Sequence, residues 1–163
     1  MTHPEVTVEL ASVSDAEPIA RMSRDLIEQG LPWSWTPKRV AASIRSRHAN
    51  VVVARAGDRI AGFGIMRYND DDAHLDLLAV APDYRRAGLG RQLVEWLEKP
   101  ALLAGIGAVY LEVRECRRDA QAFYERLGYR KVKHIPGYYQ GHESAVRMGR
   151  ELGCETAPES SER

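Results

Sequence analysis

Between residues 83 and 99 the chain reads DYRRAGLGRQLVEWLEK, where Arg85, Arg86 and Arg91 surround Gly88 and Gly90 at the start of an amphipathic helix. The first N–H groups of a helix have no intrahelical partners, and the macrodipole adds partial positive charge at the same point. With three guanidinium groups beside them, these donors suit an anion. Glycine at 88 and 90 lets the backbone approach phosphate oxygens with no Cβ in the way, so a pyrophosphate is the expected ligand. No Lys-Ser/Thr pair follows, which excludes a Walker loop, and Leu93 stands where a dinucleotide G-x-G-x-x-G would need its third glycine. Taken alone, the two glycines also suit a merely flexible helix start, and the surroundings have to separate the two readings.

An anion site in this chain has to be local. Lys+Arg and Asp+Glu both number 23, so the formal net charge is +0 and gives no basis for a general affinity for nucleic acid or acidic membrane. At 163 residues the chain suits one domain, expected over residues 1–152 and followed by a disordered tail over 153–163 that is rich in Glu and Ser. Cys116 and Cys154 lie far apart with no CxxC or Cys/His spacing, so neither a disulfide framework nor a metal site is expected. The start MTHPEVTVEL lacks a basic segment followed by an apolar run, and no stretch has membrane-spanning length; a soluble, cytoplasmic protein is the expectation.

The elements that must carry the site follow from periodicity. Val6 to Leu10 alternates as a strand. Ser14 to Glu17 has capping-box spacing and predicts a helix with Ile19, Met22 and Leu26 as its apolar stripe, stopping at Gly30. Thr36-Pro37 opens a second helix that buries Val40, Ala41 and Ile44. A hairpin is expected from Val51 to Arg55 and Ile60 to Tyr68 around Gly57-Asp58, then a strand from His74 to Val80. The acidic run from Asn69 to Asp72 reads as a solvated turn. Leu89, Leu93, Trp96 and Leu97 mark a helix from Gly88 to about Ala104, kinked at Pro100. A strand from Ala108 to Arg114, a helix from Asp119 to Leu127, and strands over 129–134 and 144–148 complete the order. His74 and His134 are single histidines on strands and His142 lies in a turn; none is read as a ligand.

Set in that order, the strand from Leu75 to Val80, the Ala-Pro-Asp-Tyr turn and the run R-R-A-G-L-G-R resemble the pyrophosphate loop of the general-control-related N-acetyltransferase (GNAT) superfamily. Its pattern is Gln/Arg-x-x-Gly-x-Gly/Ala, and Arg85, Gly88 and Gly90 fill it. Leu111-Glu112-Val113-Arg114 resembles the LEVR block of that superfamily, and the Tyr124-Glu125-Arg126-Leu127-Gly128-Tyr129 run resembles its Tyr-Glu-x-Leu-Gly-Phe/Tyr block. The likeness is greatest to its ribosomal-protein alanine N-acetyltransferase branch. It implies a mixed α/β fold: a mostly antiparallel sheet of six or seven strands with about four helices, splayed between the fourth and fifth strands.

The resemblance also implies roles. The backbone of Leu78, Ala79 and Val80 would hold the pantetheine arm of acetyl-CoA and polarise its thioester carbonyl, and Arg85, Arg86, Ala87, Gly88, Leu89, Gly90 and Arg91 would wrap the pyrophosphate. Glu112 matches the general base and Tyr124 the general acid. The chemistry is coherent: a thioester attacked by an amine builds charge on its carbonyl oxygen, which an oriented N–H stabilises. A carboxylate can take the ammonium proton, and a phenol of pKa about 10 can donate to the leaving thiolate. Glu112 also suits a solvent-facing strand residue, and Tyr124 a core aromatic beside Leu127. Gly137-Tyr138-Tyr139-Gln140 resembles the branch's Asn-Tyr-Tyr-Pro acceptor loop with its outer residues replaced, which makes Tyr138 and Tyr139 candidate acceptor contacts. Trp33 and Trp35 either line an acceptor pocket or pack a helix connection on the sheet. Arg117 stands where the family usually has Asn, open as a phosphate contact or a surface charge.

The expected activity is acetyl transfer from acetyl-CoA to a primary amine by direct attack, the acceptor being either a protein N-terminus or a small molecule. No nucleic-acid, membrane or metal partner is expected, and a homodimer stays open. A non-catalytic acyl-CoA sensor is the alternative, against which the presence of both Glu112 and Tyr124 counts. An RNA- or nucleotide-binding module is disfavoured by the neutral charge and the absence of an aromatic stacking face.

Overall fold

Val51 and Val53 face one way along their strand and Val52 and Ala54 the other, yet all four are buried. A strand apolar on both faces has to be covered on both, and the chain supplies helices to do it. The computed structural model describes residues 5–153. Its strands are β1 (Val6–Leu10), β2 (Ala49–Ala56), β3 (Arg59–Tyr68), β4 (Asp72–Val80), β5 (Ala108–Arg114), β6 (Arg130–Tyr139) and β7 (Glu143–Glu151). Its α-helices, among the described residues, are α1 (Ala16–Leu26), α2 (Pro37–Arg45), α3 (Leu89–Leu103) and α4 (Arg118–Arg126). The strands form one seven-stranded sheet in the order β1-β2-β3-β4-β5-β7-β6.

Helices α1 and α2 cover one face, where Ile19, Ala20 and Val40 meet Val51, Val53, Phe63, Ile65 and Leu77. Helix α3 covers the other, bringing Leu93, Val94 and Leu97 against Val52, Ala54, Met66 and Leu75. Leu75 and Leu77 therefore enter opposite cores although they are two residues apart. The cause is a bulge: Met66 pairs with Leu75 and Ile65 with Leu77, leaving Asp76 as the extra residue of β4. One inserted residue reverses which way every later side chain faces.

All ladders are antiparallel except β4–β5, which is parallel and short. It joins Asp72, Ala73 and His74 to Ala108, Val109 and Tyr110. Beyond His74 no ladder pair joins the two strands among the described residues, although β4 continues to Val80 and β5 to Arg114. β5 instead pairs with β7 along its length, from Ala108↔Glu151 to Arg114↔Ala145. The predicted splay lies at this point in the sheet.

Three local expectations change. The predicted capping box at Ser14–Glu17 lies two residues earlier, where Ser12 N–H donates to Asp15 Oδ2 at 2.8 Å and Val13–Asp15 form one 3₁₀ turn ahead of α1. The deciding interaction is tertiary: Arg55 on β2 donates twice to buried Asp15, at 2.9 and 2.5 Å, whereas Glu17 only meets exposed Arg21. Helix α1 ends at Leu26 rather than Gly30. β6 runs past the predicted end at His134 to Tyr139, which carries the Tyr138–Tyr139 pair onto the sheet. The predicted disordered tail, beyond Gly153, lies outside the described residues. Among those described, no helix is long and apolar enough to cross a membrane.

Close packing of α3 on β3 depends on glycine. A Cβ at Gly64 would lie 2.8 Å from Leu97 Cδ1, and Leu97 is fully buried, so its side chain would have to repack within the core. Gly64→Ala is expected to cost about 1–3 kcal/mol by overpacking, measured as a lower urea midpoint at unchanged m-value.

Candidate active site

The splay opens a cleft of about 950 Å³ between β4 and β5. At one end lies the N-terminus of α3. Gly88 is its N-cap residue at φ +79°, a left-handed conformation that a side chain would strain, and no side chain caps the helix. By helix geometry the N–H groups of Leu89, Gly90 and Arg91 have no intrahelical acceptor. Arg85, Arg86 and Arg91 are exposed around them. Arg86 is itself at φ +66°, and Arg85 Nε donates to the Val80 carbonyl at 3.1 Å. Gly90 has a different explanation from the one its sequence position suggests: a Cβ there would meet the Phe123 ring at 3.0 Å. Its smallness lets α3 close against α4, while Gly88 answers the backbone's need. Ala87 is exposed in the loop and does not line the cleft.

Leu78, Ala79 and Val80 line the middle of the cleft. Toward β3 they pair with Gly64, Phe63 and Gly62, whereas toward β5 their strand edge has no ladder. An open strand edge facing a cleft presents oriented backbone polar groups to whatever lies there.

Glu112, on β5, also lines the cleft, but it is not the free carboxylate that the sequence suggests. Its Oε2 contacts His74 Nε2 across the splay. His74 Nδ1 lies 2.6 Å from Asp76 Oδ1, and Arg67 grips Asp76 through Nε at 2.7 Å and Nη2 at 2.9 Å. The four side chains form one chain, Arg67–Asp76–His74–Glu112. Burial alone would lower the His74 pKa, but its bonds to Asp76 and Glu112 outweigh burial and raise it to about 9. Burial would raise Asp76, yet the His74 and Arg67 bonds prevail and hold its carboxyl below the usual range. Sequence reasoning passed over His74 and Asp76. The available signal was the His-x-Asp spacing on a strand; the partner on β5 is 38 residues away and has no local signature.

Tyr124 reaches the cleft from α4 and is buried. Its ring meets Phe123 and Tyr129 edge to face, with centroids 5.0 and 5.7 Å away. Burial, and secondarily the neighbouring Tyr139, push its phenol well above the ordinary value, so it is neutral and retains its proton across the physiological range.

The far end of the cleft is aromatic. Trp35 is buried beneath Arg39, whose guanidinium lies 3.8 Å from the ring centroid. Tyr138 and Tyr139 face it from β6, their rings 4.9 Å apart at 90°. The loop carrying Trp35 is anchored by buried Glu28, which accepts from Ser34 N–H at 2.8 Å and Ser23 Oγ at 3.0 Å. Arg114 ties it to β5 by donating to the Ile27 and Gln29 carbonyls at 3.2 and 2.7 Å. Trp33 is not brought to the cleft: its Nε1 donates to the Ala20 carbonyl at 3.2 Å, and it packs on α1. Arg117 does line the cleft, with Asp119 beside it at 3.2 Å.

Residues 20–129 match the model of the Acetyltransferase (GNAT) family. A ribosomal protein bS18-alanine N-acetyltransferase of Salmonella typhimurium is 38% identical over 117 residues, covering 70% of this chain and 78% of that protein. The crystal structure of the ribosomal-protein-S18-alanine N-acetyltransferase from Escherichia coli superposes with a TM-score of 0.77 at 28% identity, over 91% of this chain and 94% of that one. Arabidopsis thaliana NAA60, solved in complex with acetyl-CoA, shares the fold with a TM-score of 0.78 at 17% identity, over 91% and 99% of the two chains.

The His74 charge has a consequence for stability. Its folded-state pKa is raised from 6.5 to about 9, so its contribution is fully present below about pH 6.5 and is lost as pH rises through about 9. The Tm difference between the wild type and His74→Gln is expected to be greatest near pH 6, on the order of several degrees, and to shrink by pH 10. A difference that stays constant across that range contradicts a charged His74.

Proposed function

The chain belongs to the acetyltransferase (GNAT) family, and on that premise we propose that it moves the acetyl group of acetyl-CoA to a primary amine by direct attack within a ternary complex. The observation that carries the reading is the splay of β4 from β5. One cleft runs from the open N-terminus of α3, along the unpaired edge of β4, to Glu112 and Tyr124. An anion-binding end, oriented backbone dipoles and two proton-handling groups in sequence are what a thioester donor and an amine acceptor require.

The donor set suits a pyrophosphate: unpartnered N–H groups at Leu89, Gly90 and Arg91, with Arg85 and Arg86 beside them. Bound acetyl-CoA supplies the activated thioester; the rest is done by the chain. The β4 edge at Leu78 to Val80 steadies the carbonyl oxygen as it gains charge. Glu112 accepts the proton that an incoming ammonium must lose before its lone pair can attack. Tyr124, kept neutral by burial, gives its proton to the leaving thiolate, and the thiolate departs as a thiol.

The acceptor we assign is a protein N-terminal amine, read from the similarity to ribosomal-protein alanine N-acetyltransferases. An extended N-terminal segment suits the far end of the cleft, where Tyr138 and Tyr139 offer apolar ring surface with polar tips above buried Trp35. A small-molecule amine is the second reading. It is favoured by Gly137 and Gln140, which replace the outer residues of the branch's acceptor loop.

Two experiments test this. Calorimetric titration with CoA is expected to show binding that weakens at least tenfold in Arg86→Ala/Gly88→Ala; no binding by the wild type overturns the assignment of the loop. Turnover of acetyl-CoA with an N-terminal alanyl peptide is expected to fall roughly 10²- to 10⁴-fold in Glu112→Gln and in Tyr124→Phe, with CoA affinity retained. Undiminished turnover in both variants removes the acid and base roles.

A further inference from the structure

The ring of His74 offers each of its nitrogens to a carboxylate, Nδ1 to Asp76 and Nε2 to Glu112. An ionised carboxylate can only accept a hydrogen bond, so both contacts are made at once only when both nitrogens carry protons. Arg67 Nη2 also stands 3.3 Å from Nδ1, whereas Nε2 faces Glu112; losing the Nε2 proton leaves two acceptors opposed between Nε2 and Glu112 Oε2, an arrangement that draws a proton back. Asp76 cannot swing away to relieve it, because Arg67 grips both its oxygens from β3. A site that holds one proton too few and cannot rearrange is a strong base, and this one faces the cleft.

We propose that His74 is a positioning residue and proton store for Glu112: the proton leaving the acceptor ammonium is taken at Glu112 and passed along the shared hydrogen bond to the His74 imidazole, with Asp76 and Arg67 holding the ring. The inference deepens the acetyl-transfer reading and rests on Glu112 being its base. The step starts from the fraction of molecules whose His74 is neutral, which grows as pH approaches about 9, and it balances: the ammonium becomes a neutral amine with a free lone pair, Glu112 is a carboxylate before and after, and neutral imidazole becomes imidazolium. The proton returns to solvent through the cleft before the next turnover.

Other charges bear on this ring from every neighbouring strand. Asp76 lies on β4, Arg67 on β3 and Glu112 on β5. Arg147 stands opposite Glu112 on β7, and Tyr138 of β6 feels Glu112 and Asp76 on one side and Arg147 and Arg67 on the other. The two arginines and two carboxylates offset one another, which leaves the imidazole proton as the variable charge of the group.

The test uses the full chain and two readouts. NMR titration of ¹⁵N-histidine-labelled protein follows the His74 ring without any acceptor. Its midpoint is expected near pH 9 in the wild type and at least one pH unit lower in Glu112→Gln and in Asp76→Asn. A His74 midpoint below pH 7, or one unmoved by Glu112→Gln, overturns the proposal. Kinetics with acetyl-CoA and an N-terminal alanyl peptide supply the second readout. In the wild type kcat rises with pH to a plateau above about 9; His74→Gln, which keeps a hydrogen-bond donor but stores no proton, loses that limb and falls about 10- to 100-fold in kcat, with the peptide KM within about twofold. A limb that survives in a folded His74→Gln also overturns it. Absence of wild-type turnover with the peptide counts against the assigned acceptor, and the NMR midpoints then decide the proposal.

Discussion

Three residue pairs hold β4 to β5, and the cleft exists because that ladder stops at His74 and Tyr110. A parallel ladder continued to Val80 would consume the backbone groups of Leu78, Ala79 and Val80 and close the space over Glu112. Its ending has a local cause: the bulge at Asp76 bends β4 and reverses its facing, while β5 keeps its other edge paired with β7 along its length. The loss of ladder bonds is offset by burial elsewhere: Leu75 and Leu77, turned to opposite faces by the bulge, each enter a packed core.

The same bulge places the charges. Asp76, the residue with no partner on β3, is the one that receives Arg67 and orients His74. A half-buried chain of alternating charge is costly unless every member is paired, and here Arg67, Asp76, His74 and Glu112 each meet an opposite charge. The network bridges the two strands just where their backbone pairing ends. Side-chain electrostatics thus take over the connection from the ladder, on the cleft side, with groups that can exchange protons.

The rest of the cleft is held by anchors outside it. Glu28 gathers the α1–α2 connection around its carboxylate, and Arg114 clasps the same connection to β5 while pairing with Glu143 at 2.5 Å. Trp35 is thereby set against the cleft, while Trp33, two residues earlier, hydrogen-bonds back to α1. Phe123 closes on Gly90 at the other end, so that the helix start, the β4 edge and Tyr124 share one space.

The order of elements, the glycine-arginine helix start and the blocks around Glu112 and Tyr124 were legible in the amino-acid sequence, because periodicity, turn chemistry and contiguous motifs are local properties. Thr36-Pro37 as a helix start is of that kind, as is the left-handed Gly88. The Ser14–Glu17 cap failed for the opposite reason: Arg55, 40 residues away from Asp15, chose between two serines of similar local propensity. The bulge at Asp76 was invisible, since strict alternation puts Leu75 and Leu77 on one face and only packing on both sides of the sheet separates them. His74 read as an isolated histidine because its partner lies on a strand that becomes its neighbour only through a crossover. Local chemistry determined which groups are present; tertiary structure alone decided which of them meet, because a hydrogen bond or ion pair depends on distance in space and not on separation along the chain.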